Sequence, residues 1–162
     1  MIRNLIIAAW LTAVLPASLI AFVPHTAVAA AIAEEREIFR LVNVERSRSR
    51  LGSLHWDDDL ALLARNFSRR MARDRFFDHV DPDGKSVVER AEDAGLRNWR
   101  RIGENLFVTE RIDGFSEFAV HGWLRSPSHR QNILDRKWTA TGVGIAIDRR
   151  GNIFITQVFT ED

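Results

Sequence analysis

An α+β fold, with helices in the first half and a small antiparallel sheet late in the chain, is what this sequence predicts. Three observations carry the expectation. Apolar residues recur at helical spacing through the first half, strand-forming runs concentrate in the second half, and the last two runs flank a short turn, Asp148-Arg149-Arg150-Gly151-Asn152. Helices followed by strands in this order build layers of helix against a sheet.

The elements follow in order. From Glu34 to about Arg48, Ile38, Leu41, Val42 and Glu45 fall at helical spacing, with Glu34, Glu35, Glu37 and Arg40 available for solvent. Leu51-Gly52-Ser53 breaks this helix, and Asp57-Asp58-Asp59 then opens a second one with anions at the positive end of its dipole. Leu60, Leu63, Ala64, Phe67 and Met71 form its buried stripe, and Arg65, Arg69, Arg70 and Arg73 lie outside it. Asp81-Pro82-Asp83-Gly84 has the residue placement of a type I turn. Ser86 and Glu89 form a capping box that opens a short third helix, which Gly95 closes. Phe115 to Leu124 supports a fourth helix, and Ser126-Pro127 reads as an N-cap followed by proline at the first helical position of a fifth. Strands are expected at Arg101 to Val108, Thr141 to Ile147 and Ile153 to Phe159, the last two as a hairpin.

The N-terminus has a different character. Met1 to Asn4 contains one arginine, Leu5 to Val23 is mostly apolar, and Ala27-Val28-Ala29 is a small-x-small exit. These are the three parts of a secretory signal peptide; the alternative is a retained anchor, since Leu5 to Val23 approaches the roughly 20 residues that cross a bilayer, but Pro16 interrupts the run, so residues 1–29 are expected to be removed and residues 30–162 to form one exported domain without a stable membrane anchor. The full chain has 23 basic and 22 acidic residues, and the leader carries only Arg3, so the exported part is formally neutral. That balance argues against a general nucleic-acid binder, which needs a strong positive field. With no cysteine, neither disulfides nor a thiolate metal site can form.

Three stretches combine polar residues with structural punctuation beyond what packing requires. They are Phe76 to Gly84 around His79, Gly103-Glu104-Asn105-Leu106, and Trp123 to Leu134 around His129. Together with Leu41-Val42-Asn43 and Arg46, Leu51 to Trp56, Thr141 to Ile145 and Gln157-Val158-Phe159, they make the chain resemble the bacterial branch of the CAP superfamily of cysteine-rich secretory, antigen 5 and pathogenesis-related 1 proteins. The resemblance covers about residues 35–160. It implies a three-layer α-β-α sandwich with a cleft, into which members commonly direct two histidines and two acids and where some bind zinc or another divalent metal. His79 then matches the first histidine, Glu104 one acid beside Asn105, and His129 the second histidine. Ser126 stands where many eukaryotic members carry the other glutamate. The resemblance further implies a ligand such as a small lipid or an envelope or cell-wall polymer.

Neutral imidazoles suit zinc, copper or nickel, and a nearby carboxylate can orient a metal-bound water. His79 and His129 are therefore the candidate metal ligands and Glu104 the candidate base. Two histidines alone make a weak site, because a catalytic zinc ordinarily takes three protein ligands. Three functions remain open: a ligand-binding cleft, a metal-assisted hydrolase, and an interaction module with neither metal nor reaction. A calcium loop at Asp81-x-Asp83-Gly84 fails, since His79 and Arg90 would occupy positions that need acids. A serine nucleophile among Ser126, Ser128 and His129 lacks the orienting group and oxyanion site that such chemistry requires. His55 and His121 read as structural or surface residues, four of the five tryptophans, Trp56, Trp99, Trp123 and Trp138, as core or core-edge residues, and Arg97 to Arg101 as a solvated connection.

Overall fold

The computed structural model describes residues 25–110 and 113–162, so the expected leader lies outside the described residues as far as residue 24. Its last residues, from His25, belong to the first helix. In chain order the elements are α1 (His25–Arg48), β1 (His55–Trp56), α2 (Asp58–Asp74), α3 (Val87–Asp93), β2 (Arg101–Thr109), α4 (Phe115–Arg125), α5 (Pro127–Leu134), β3 (Ala140–Ile147) and β4 (Ile153–Glu161). The sheet order is β1-β3-β4-β2. β3 and β4 form the expected hairpin, closing at Ile147 opposite Ile153, and β2 runs antiparallel to β4. The short β1 adds a parallel neighbour to β3 that the sequence did not announce.

The period of two along each strand sorts the side chains into two cores. Val143, Ile145, Ile153, Ile155 and Phe159 face Ile38 and Val42 of α1 and Ala119, Val120 and Trp123 of α4. The intervening residues face the other way, Ala140 and Val158 against Leu60, Leu63 and Ala64 of α2, and Leu106 and Phe154 against Phe67 and Met71. The chain is thus an α-β-α sandwich, with β3 and β4 buried on both faces as a covered central pair must be.

The start of α2 follows the sequence expectation, with the Asp57 carboxylate accepting from the backbone of Asp59 and Leu60 at 2.8 and 2.9 Å. Its closeness to the sheet is set by two glycines. A Cβ on Gly142 would stand 2.1 Å from the Ala61 nitrogen, and one on Gly144 2.0 Å from the Arg65 nitrogen. The helix backbone therefore rests directly on β3.

Two charged residues of α1 are buried, and the first departs from expectation. Glu35, read as a solvent residue, is 1% exposed; Arg65 donates to its Oε1 at 2.9 Å and to its Oε2 at 2.6 Å, and the Ile145 amide donates to Oε1 at 3.1 Å. Spacing explains this, because Glu35, Ile38 and Val42 share one face of α1. The pair joins both helical layers to the sheet. Arg46, also 1% exposed, donates to the carbonyls of Gly52, Ile133 and Asp135, each at 2.9 Å. It satisfies acceptors at the end of α5 that the helix itself leaves open, and burial lowers its pKa below the ordinary arginine value.

Candidate functional site

β2 is an edge strand, and consecutive residues on it point to opposite faces of the sheet. Glu104 therefore faces the layer of α2 and α3, and Asn105 the layer of α4 and α5. That alternation lets one dipeptide hold both sides of a site that straddles the sheet edge.

On the first side, the loop between α2 and α3 carries His79. Asp81 fixes its course: the Gly84 amide donates to the Asp81 carbonyl at 2.8 Å, as the type I turn requires, and Gly84 takes φ +80°. The Asp81 carboxylate accepts from the amides of Asp83 and Lys85, both at 2.9 Å, and from Arg70 at 2.8 Å. The Ser86–Glu89 capping box then opens α3 as expected. One turn in, Arg90 lies 3.4 Å from the centre of the Phe67 ring and donates to the carbonyls of His79 and Lys85, at 3.0 and 2.8 Å. Its other arm donates to Glu104 Oε2 at 2.6 Å.

Glu104 Oε1 accepts from His79 Nδ1 at 2.9 Å. The carboxylate side chain is 3% exposed and the imidazole 54%, so a buried anion holds a half-open ring. Because a carboxylate only accepts, Nδ1 carries the proton in this pair and Nε2 is the ring nitrogen left for other partners.

On the second side, α5 carries His129. The Asn105 amide donates to the His129 carbonyl at 3.2 Å, and Asn132 donates to Asn105 Oδ1 at 2.9 Å and to the Glu104 carbonyl at 3.1 Å. Trp123 Nε1 donates to the Leu106 carbonyl at 2.8 Å. Side chains from α4 and α5 thus bind the carbonyls of this edge strand, which blunts it against pairing with another chain.

The two imidazoles are pushed apart. The hydrogen bond that His79 donates to Glu104 raises the His79 pKa, whereas burial, and then the charge of His79, lower that of His129. The signs oppose each other in stability. His79, raised, contributes stability that is lost as pH rises from the unfolded value through its folded pKa. His129, lowered, contributes stability that is lost as pH falls from the unfolded value through its own. Unfolding stability should accordingly pass through a maximum near the ordinary histidine value of about 6.5. A denaturant series across pH checks this, and a monotonic profile through that window would contradict it.

Of the residues expected in the cleft, His79 and Glu104 are in contact, and Asn105 and Asn132 tie His129 to the same stretch of β2. Ser126 sits apart from this network. It precedes α5 at the N-cap position and its carbonyl accepts from the Arg130 amide at 2.8 Å, but its hydroxyl makes no capping bond and stands 3.4 Å from the Ser128 hydroxyl. Arg90 and Asn132 are the contributors that sequence reasoning passed over. Val87, Arg90 and Ala91 share a face at i, i+3 and i+4, which was the available signal for an inward arginine.

The donor set does not form a three-ligand zinc centre. Among the described residues, no group of three or more histidine, cysteine, aspartate or glutamate side chains is placed to hold a metal ion. Both Glu104 oxygens are already taken, one by Arg90 and one by His79. What the arrangement offers is one imidazole oriented by a carboxylate and one whose pKa burial lowers. His55 and His121 are exposed, Trp123 and Trp138 are buried, and Trp56 and Trp99 are partly so, as expected.

The family model for the cysteine-rich secretory protein family, CAP, matches residues 39–159. The uncharacterized membrane protein YlbC of Bacillus subtilis is 35% identical over 125 residues, which is 77% of this chain and 34% of that protein. YkwD of the same organism is 32% identical over 112 residues, 69% of this chain and 42% of that protein. The chain thus spans well under half the length of these curated relatives. Among solved structures, an extracellular protein containing an SCP domain from Bacillus anthracis superposes with a TM-score of 0.76 at 29% identity, over 87% of this chain and 44% of that one. Among the described residues, no helix is long and apolar enough to cross a membrane. The matched span takes in every residue of the candidate site, and the chain belongs to the cysteine-rich secretory protein family, as a CAP domain with no cysteine of its own.

Proposed function

We propose that this CAP domain is exported and that the ground between His79 and His129 binds an extracellular ligand without transforming it. The observation that carries the reading is the Glu104 carboxylate, buried and shared between Arg90 and His79, which orients a half-exposed imidazole. A core seldom buries a charge that it does not need. The ligand is an oxygen-rich molecule of the cell envelope, such as a wall polymer, whose hydroxyl groups can both donate to and accept from the ring nitrogens that His79 and His129 leave free. Export is supported by the leader-like residues 1–29 and by relatives described as extracellular and membrane proteins.

The test is binding of the purified domain to envelope polymer prepared from its source. His79→Ala and His129→Ala should each weaken retention about tenfold, the range of one good polar contact. Unchanged retention by the double variant would place recognition elsewhere and favour an interaction module that works without this cleft.

A divalent metal such as zinc is a second reading, favoured by one observation: a carboxylate on Nδ1 leaves His79 Nε2 as the free nitrogen, the usual orientation of a metal-ligating histidine. With His129 it would supply two ligands, so binding would be weak and readily reversed. Metal-assisted hydrolysis with Glu104 as base is the less favoured form, since both oxygens are engaged.

A further inference from the structure

A half-open cavity of about 650 Å³ lies away from the histidine site, between the end of α2, the end of β2 and the tip of the β3–β4 hairpin. None of His79, Glu104, Asn105, Ser126 or His129 lines it. Its wall is divided by chemistry. Arg69, Arg73 and Arg75 from α2 and its cap, with Arg149 and Arg150 from the hairpin turn, form a cationic rim, while Phe76, Phe77, Val108, Ile147 and Phe154 form an apolar floor.

The rim is only partly neutralised from within. Arg73 is paired with Asp74, but among the described residues Arg69, Arg75, Arg149 and Arg150 make no ion pair. The one carboxylate in the lining, Asp148, offsets part of this charge from beside Arg150, and its oxygens are held by its own turn: it accepts from the amides of Arg150 and Asn152, at 2.8 and 2.9 Å, and from the Asn152 side chain at 2.8 Å. In a domain with near-zero net charge, this is a local excess of positive charge that an anion would complement. The floor is unfinished as well, with Phe77 47% and Ile147 50% exposed. Arg75 adds a third indication. It ends α2 in the left-handed conformation, φ 59°, where glycine carries no steric cost. A cation suits a helix C-terminus, yet here it also lines the cavity.

We propose that this cavity binds one molecule of an anionic amphiphile, with its carboxylate or phosphate head on the arginine rim and its apolar body on Phe77, Val108 and Ile147. The volume suits a single small ligand, as pockets of a few hundred to about 1,000 Å³ do. Arginine is the residue best shaped for such a head, because its planar fork donates two parallel hydrogen bonds. This site stands independently of whether the histidine cleft binds a ligand.

The test is calorimetric titration of the purified protein with decyl phosphate at monomeric concentration, beside inorganic phosphate and decanol, which each keep one half of its chemistry. Decyl phosphate should bind at least tenfold more tightly than either control, and Arg149→Gln/Arg150→Gln should weaken it at least tenfold. Arg75→Gly should weaken binding while leaving the melting temperature unchanged or raised, which separates a ligand role from a structural one. Equal binding of decyl phosphate and either control would overturn the proposal, as would unchanged affinity in Arg149→Gln/Arg150→Gln. Association with phosphatidylglycerol vesicles but not with monomeric decyl phosphate would also overturn it, showing a membrane surface rather than a single molecule as the partner.

Discussion

Replacing Gly144 by alanine should destabilise the domain by roughly 3 kcal/mol or more, at the upper end of overpacking effects. The added methyl would meet the Arg65 backbone nitrogen at 2.0 Å and the Ala64 carbonyl carbon at 2.3 Å. These are main-chain atoms of α2, so no side chain can rotate away. Relief requires the whole helix to lift, and with it the contacts of Leu60, Leu63 and Ala64 against Ala140 and Val158. Set against the 5–15 kcal/mol that ordinarily holds a domain together, such a loss is severe. Gly52→Ala is the control, because a Cβ there would have nothing within 4 Å; it should change stability by no more than about 0.5 kcal/mol. Thermal unfolding followed by circular dichroism checks both. Similar midpoints for the two variants would show that α2 does not lie on β3 as described.

Glu104→Ala should cost about 3–5 kcal/mol, the range for breaking a buried ion pair from one side. The reason lies in what stays behind. The Arg90 side chain is only 9% exposed and would keep its charge beside Phe67 with its best acceptor gone. His79 would lose the bond that orients it. His79→Ala removes the exposed member of the same pair and should cost under about 1 kcal/mol. Urea unfolding of the two variants measures the difference. If Glu104→Ala were no more destabilising than His79→Ala, the carboxylate would not be the anchor of this site.

Most of the fold was legible because local rules and tertiary structure agree. The capping box at Ser86, the acid-led start of α2 at Asp57 and the hairpin around Asp148 to Asn152 all stand where residue type put them. β1 was not legible for a physical reason: two residues carry no periodicity. It exists because the His55 amide donates to the Thr139 carbonyl at 2.9 Å and the Asp57 amide to the Thr141 carbonyl at 3.0 Å. Glu35 was misjudged because its helical position is polar by type and only its partner Arg65, thirty residues on, makes burial affordable. Ser126 occupies the predicted cap position, but its hydroxyl does not cap.

The site was legible as three side chains and not as a network. Motif likeness pointed to His79, Glu104 and His129, whereas the partners of the joining residues Arg90 and Asn132 are identified only once β2 is known to be an edge strand with α3 and α5 on opposite sides. Gly142 and Gly144 likewise read as strand residues; their common role, to admit the backbone of α2, depends on a helix more than seventy residues earlier in the chain.

The central claim is that buried Glu104, on the edge strand, holds His79 by a hydrogen bond and raises its pKa, while burial lowers that of His129. Titration of the two imidazoles by NMR, in the native chain and in Glu104→Gln, tests it directly. The account predicts that His79 titrates above the ordinary histidine value of about 6.5 and His129 below it, and that Glu104→Gln brings His79 down. Coincident titration of the two rings at the ordinary value, or a His79 curve unmoved by Glu104→Gln, would contradict it.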